Sequence, residues 1–264
     1  MTIAIIQARL GSSRLKNKIL KDLCGHPVLW HVASRVKKAK KIDKIIIATT
    51  EETLDDETEK FCFENGLFFF RGSSEDVLQR FYQLAKSENA DTIVRLTGDC
   101  PLIDPSVIDL NVNQFLAGDY DYMSTVRPGP STFPRGLDTE VFNFKSLEKA
   151  HLESKEKFER EHVTPFIWQN KNNIFKIGPM VLALGNYKRP SYRLTLDYPE
   201  DLHLMEEIYR KFYKEGEIID VSEVLMWLDN NPDKVLINAH RELEHLEREA
   251  VSVGKRESAR RYNN

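Results

Sequence analysis

A chain of 264 residues with 41% hydrophobic and 30% charged side chains has the proportions of a soluble globular protein with room for a large α/β core. A formal net charge of −3 argues against a general nucleic-acid binder, and no apolar run approaches the roughly 20 residues of a membrane span. Three widely spaced cysteines, Cys24, Cys62 and Cys100, suggest neither a disulfide framework nor a zinc site, so a cytoplasmic protein without a signal peptide is expected.

Thr2 to Ile6 is a short, β-branched apolar run, the pattern of a buried parallel strand. The stretch from Gln7 to Lys18 follows at once and holds no acid. Gly11, Ser12 and Ser13 keep its side chains small, so backbone N–H groups can approach phosphate oxygens. Arg9, Arg14 and Lys18 add fixed positive charge. The segment reads as an anion-holding loop; the plainer alternative is a solvated basic loop. Neither a P-loop nor a Gly-x-Gly-x-x-Gly fingerprint is present.

Pro27 opens a helical pattern carried by Val28, Leu29, Val32, Val36 and Ala39. Lys44 to Thr49 is a second buried strand. Leu54 to Asn65 is a short acidic helix closed by Asn65-Gly66, and Leu67 to Phe70 a third strand. Ser73 and Asp76 resemble a capping pair before a helix whose apolar face is Val77, Leu78, Phe81, Leu84 and Ala85. Thr92 to Leu96 is the fourth strand, and Asp104-Pro105 starts a helix that ends near Gly118. This alternation implies right-handed crossovers and a mainly parallel sheet with helices on both faces.

Residues 119–136 hold three prolines and two glycines and are expected to be an extended loop. Beyond them the pattern predicts a strand over 137–142, a helix over 144–154, a helical face over 158–168, a strand over 174–183 broken at Gly178-Pro179, and a strand over 192–196. Helices follow over 199–213 and 221–228, and the tail frays by Ser258. With no clear linker, a single domain is expected: a nucleotide-facing half over 1–118, an acceptor-facing half over 119–205, and C-terminal helices with the tail over 206–264.

Ligands of an open parallel sheet bind beyond the carboxyl ends of its strands. In the order 3-2-1-4 the first and fourth strands are neighbours, so the loop Thr97 to Asp104 faces the basic loop. Asp99 then stands opposite Arg9, Arg14 and Lys18, as a magnesium ligand or merely as a turn residue. Asp197 follows the strand at 192–196 and precedes a helix starting at Pro199; it reads as a second metal ligand or as a helix cap. Paired acids beside a basic Gly-Ser loop suit nucleotidyl transfer, in which cations neutralise a triphosphate while an acceptor attacks its α-phosphorus.

The segments Gln7–Leu15 with Lys18, Arg71–Leu78, Gly98–Asp104, Gly136–Glu140, Glu161–Pro165 and Asp197–Leu202 resemble, in order and spacing, the cytidylyltransferases that activate acidic sugars. The acylneuraminate and 3-deoxy-manno-octulosonate enzymes are of this kind, and the closer likeness is to spore-coat polysaccharide biosynthesis proteins of the SpsF type. The likeness spans about residues 1–205. It implies a GT-A-like nucleotidyltransferase fold, mixed in its second half, and a Mg²⁺-dependent reaction of CTP with an acidic sugar or phosphorylated acceptor that releases pyrophosphate. By resemblance Ala8, Arg9, Gly11, Ser12, Ser13, Arg14, Lys18 and Asp99 bind nucleotide, with Arg9, Arg14 and Lys18 catalytic. Asp99 and Asp197 hold the metal. Arg71, Gly72 and Ser73 match the nucleobase loop, and Asp138, Glu140 and His162 would face the acceptor; His162 reads equally as a satisfied helix histidine. The resemblance also implies a homodimer, with residues 119–180 as its expected interface. The family's usual Pro-Gly before the lysine is replaced by Lys16-Asn17, and Asn tolerates the positive φ that such a turn needs. Two alternatives stay open: a guanylyl- or other nucleotidyltransferase acting on a sugar phosphate or non-sugar phosphate, and a glycosyltransferase using a nucleotide sugar.

Overall fold

The computed structural model describes residues 1–126 and 130–247. Its strands are β1 (Thr2–Gln7), β2 (Asp22–Leu23), β3 (His26–Pro27), β4 (Lys44–Thr50), β5 (Phe68–Gly72), β6 (Thr92–Thr97), β7 (Tyr122–Ser124) and β8 (Glu140–Asn143). The main sheet has the order β5-β4-β1-β6-β8-β7, while β2 and β3 form a separate hairpin. Pairings β1–β4, β1–β6 and β4–β5 are parallel, whereas β8 runs antiparallel to both β6 and β7. The first four long strands thus stand in the expected 3-2-1-4 order, with the mixed part added beyond β6.

Alternation along β1 divides the core. Ala4 and Ile6 face one apolar cluster with α1 (Val28–Val36), α4 (Pro105–Ala117), α8 (Pro199–Phe212) and α9 (Val221–Asp229). Ile3 and Ile5 face a second, with α3 (Val77–Ser87), α5 (Phe144–Glu153) and α7 (Pro165–Gln169). The acidic α2 (Asp56–Glu64) gives only Phe61 and Cys62 to the first cluster, and α10 (Pro232–Leu236) follows α9.

Several expectations change. The proline-rich stretch after Gly118 contains the strand β7, because Tyr122, Met123 and Ser124 find partners on β8 that only the folded sheet supplies. The strand expected over 174–183 is an irregular edge: Lys176, Gly178 and Val181 bond to the β7 region, but Gly178-Pro179 prevents a ladder. The strand expected over 192–196 makes a single bridge, Arg135 to Arg193, since its neighbours are a loop and a strand end. The helix expected over 158–168 is two: α6 (Lys157–His162) and α7. Pro165 has no N–H for a helix continuing from α6, so it starts a new helix at its first position, and Val163 takes φ 70° between the two. Residues 127–129 of the expected loop and the fraying tail lie outside the described residues.

Two glycines bring backbones together where the site forms. A Cβ on Gly98 would stand 2.9 Å from the Ala8 Cβ, so the loops after β1 and β6 could not meet as they do. Gly136, at φ 103°, lies against the Leu194 carbonyl, where a Cβ would come within 2.4 Å of the oxygen.

Candidate active site

At the carboxyl ends of β1 and β6 lies a cleft of about 620 Å³. Ala8, Arg9, Arg14, Lys18, Asp99, His162 and Asp197 all line it.

The loop after β1 is held from behind by the buried Asp55, which accepts from the Leu10 N–H at 2.8 Å and from the hydroxyls of Thr50 and Thr58. Ser12 N–H turns back to the Leu10 carbonyl at 2.7 Å, leaving Gly11, Ser13 and Arg14 exposed at the rim. Asn17 adopts φ 52°, ψ 32°, the left-handed conformation that Pro-Gly would otherwise provide, and Lys18 begins a short 3₁₀ turn directly after it. Lys16 points to solvent and does not line the cleft.

Lys18 closes the site. Its ammonium donates to Asp99 Oδ2 at 2.5 Å and to Asp197 Oδ1 at 2.8 Å. Burial works against its charge, but the two acids outweigh it and raise its pKa. Asp197 also accepts from Arg14 at 2.7 Å and from Arg193 at 2.9 Å. Burial disfavours the ionised Asp197, yet Lys18, Arg14 and Arg193 hold its carboxyl well below the usual range. Arg193 is nearly inaccessible and is braced by Asp201 at 2.8 Å and by Glu242. The Leu196 N–H donates to the Asp99 carbonyl at 2.8 Å, which locks the two acid-bearing segments together.

Two carboxylates converging on one cation offer the oxygen ligands that Mg²⁺ takes, with water and substrate phosphate completing the shell. Among the described residues no group of three or more His, Cys, Asp or Glu is placed to hold a metal alone. The donor set therefore fits a cation shared with a phosphorylated substrate, and Asp99 and Asp197 would hold it.

Other expected residues lie elsewhere. Arg71 and Gly72 belong to β5 rather than to a loop, paired with Thr49 and Thr50. The Arg71 side chain turns away to Asp56 at 2.7 Å and Glu59 at 2.6 Å, and Gly72 packs on the Arg80 side chain. Ser73 Oγ accepts from the Asp76 N–H at 3.0 Å. The cleft wall on that side is made instead by Ser74, Glu75 and Val77. Asp138 is not among the residues lining the cleft and lies near Arg135 and Glu242; burial pushes its carboxyl up, against the pull of Arg135. Glu140 is buried and spent on Arg95, Tyr122 and Thr164, so it does not face the acceptor side directly. Gln7, Thr97 and Glu161, which stand in the motif segments but carried no assigned role, also line the cleft, as do Arg95 and Lys157, which the sequence reading passed over. Of these Arg95 carried a signal, a lone charge within an otherwise apolar interior strand.

A parallel sheet of this order, with a basic loop and paired acids at its carboxyl ends, is the layout of a nucleotidyltransferase. The chain belongs to the cytidylyltransferase family, whose model matches residues 3–224. A protein of Methanocaldococcus jannaschii is 42% identical over 239 residues, 90% of this chain and 94% of that protein. Spore coat polysaccharide biosynthesis protein SpsF of Bacillus subtilis is 34% identical over 238 residues, 87% of this chain and 94% of its own. A solved cytidylyltransferase from Leptospira borgpetersenii superposes with a TM-score of 0.79 at 34% identity, covering 89% of this chain and 96% of that one. Family membership sets aside a glycosyltransferase.

Proposed function

We propose that this protein transfers a cytidylyl group from CTP to an acidic sugar or phosphorylated acceptor for surface polysaccharide synthesis, with Mg²⁺ and with release of pyrophosphate. The observation that carries this reading is the Lys18 ammonium held between Asp99 and Asp197 at the mouth of the cleft. Cytidylyltransferase membership supplies the base, and the likeness to SpsF the kind of product.

On this reading Arg9 and Arg14 receive the triphosphate at the rim, and Lys18 exchanges a carboxylate partner for a phosphate oxygen. Asp99 and Asp197 would hold Mg²⁺, which would supply Lewis-acid neutralisation of phosphate charge when bound. An acceptor oxygen then forms a bond to the α-phosphorus as the bond to the β-phosphate oxygen breaks, and pyrophosphate leaves. The cations sit where that leaving charge develops. A homodimer and a cytoplasmic location belong to the same reading; light scattering at micromolar concentration tests the first.

The decisive assay is pyrophosphate release from CTP and Mg²⁺ over a panel of sugar acids and sugar phosphates. Turnover that stops on chelation is the expected result. No release with any nucleoside triphosphate would end the proposal, and release with GTP alone would favour a guanylyltransferase.

A further inference from the structure

Phosphate chemistry accounts for only part of the cleft's lining. Beyond the basic loop and the paired acids the cleft is walled by Ser74 and Glu75, by Lys157 and His162 of α6, and by Arg95. Arg95 lies mid-strand on β6, opposite Ile5 of β1 and Glu140 of β8. A charge at such a place is costly unless it is held.

Among the described residues it is firmly held on one prong. Nη1 donates to Glu140 Oε2, while Glu140 Oε1 accepts from the Tyr122 and Thr164 hydroxyls, each at 2.6 Å. Burial opposes the charge on Glu140, but Arg95 and those hydroxyls keep its carboxyl below its ordinary value. Among the described residues the second prong, Nη2, has only a long 3.3 Å contact to Gln7 Oε1, and the side chain lines the cleft at 17% exposure. An arginine fork with one arm anchored and the other turned to a cavity is built to receive an oxyanion. Arg95, on β6, and Asp99, in the turn that follows it, line the same cleft. An acceptor whose reacting oxygen stands near Asp99 can therefore present a second, acidic group to Arg95.

We propose that Arg95 binds the acid group of the acceptor, a carboxylate or a phosphate, and that Glu140, Tyr122 and Thr164 serve to fix its guanidinium. The proposal rests on the anionic acceptor of the functional reading above, and it makes Glu140 a positioning residue.

Two probes separate the sources of the oxyanion: 3-deoxy-manno-octulosonate for a carboxylate and glucose 1-phosphate for a phosphate. Pyrophosphate release is measured with each, together with CTP and Mg²⁺, and probe binding is measured separately by saturation-transfer NMR. For the probe that wild type uses or binds, Arg95→Gln should raise KM or Kd by about 30-fold, the scale of a charge-assisted hydrogen bond. Arg95→Lys keeps the charge without the fork and should recover only part of that loss; it also serves if Arg95→Gln does not fold by circular dichroism. The KM for CTP should stay within about twofold, which an ion pair serving stability alone would not predict. A CTP KM rising in step, an unmoved probe affinity in folded variants, or wild type binding neither probe would overturn the proposal. Probe binding that depends on Arg95 without any turnover would uphold it while ending the cytidylyl-transfer reading.

Discussion

Lys18 is the residue on which the site turns, because one ammonium satisfies two carboxylates that would otherwise repel each other. Asp99→Asn or Asp197→Asn should lower kcat by about 10²–10³-fold in pyrophosphate-release assays, with folding intact by circular dichroism. Lys18→Gln should let nucleotide-free protein bind Mn²⁺ more tightly than wild type, read by electron paramagnetic resonance, because the resident cation is gone. Weaker Mn²⁺ binding in that variant would sink the metal assignment. These residues were legible in the sequence because acids and bases in loops at strand ends are local signals. Arg71 and Glu140 were not correctly placed, for a complementary reason. Whether a charge faces the cavity or a neighbouring element depends on sheet pairing, and Asp56 and Arg95 claim them through contacts that no local motif encodes.

At the scale of elements, the segment 192–196 shows how an acid is delivered without a strand. It is pinned by Arg135, by the Asp99 carbonyl and by the buried Arg193 cluster. Gly136→Ala would drive a methyl into the Leu194 carbonyl and add positive-φ strain. We expect a loss of about 2–4 kcal/mol in urea unfolding and a raised KM for CTP, as Asp197 shifts with its segment. The parallel strands were readable from their apolar runs, and Asn17 from its turn chemistry. The break at Val163 and the strand β7 were not, because a three-residue strand has too few side chains to show a period. The hairpin of β2 and β3 escaped for the same reason.

For the molecule as a whole, the parallel character of the sheet followed from alternating strands and helices, the order 3-2-1-4 was an expectation that the strands β5-β4-β1-β6 meet, and the two cores come from alternation within β1. The pH response was not legible, since it comes from burial. His31 packs under α8, donates from Nε2 to the Leu23 carbonyl at 2.8 Å, and is pushed down to about 4, first by burial and then by His26 and Arg35, against the pull of that carbonyl. The unfolded imidazole takes a proton near 6.5 while the folded one does not. Stability is therefore full above pH 6.5 and declines toward pH 4, by roughly 3 kcal/mol from this residue. Urea midpoints at pH 7.5 and 4.5 should show that decline, and His31→Asn should flatten it. Asp197, depressed rather than raised, contributes stability above the ordinary carboxylate range and loses it only at lower pH.

The bond from Leu196 N–H to the Asp99 carbonyl has a temporal side. The segment that bears the basic loop and Asp99 is synthesised early, but Asp197 arrives only when the ribosome has passed residue 197 and that late segment has docked. A nascent chain can therefore gather the basic loop and Asp99 and still lack the Lys18–Asp197 contact, so on the proposed function competence is conferred late in translation rather than along the way.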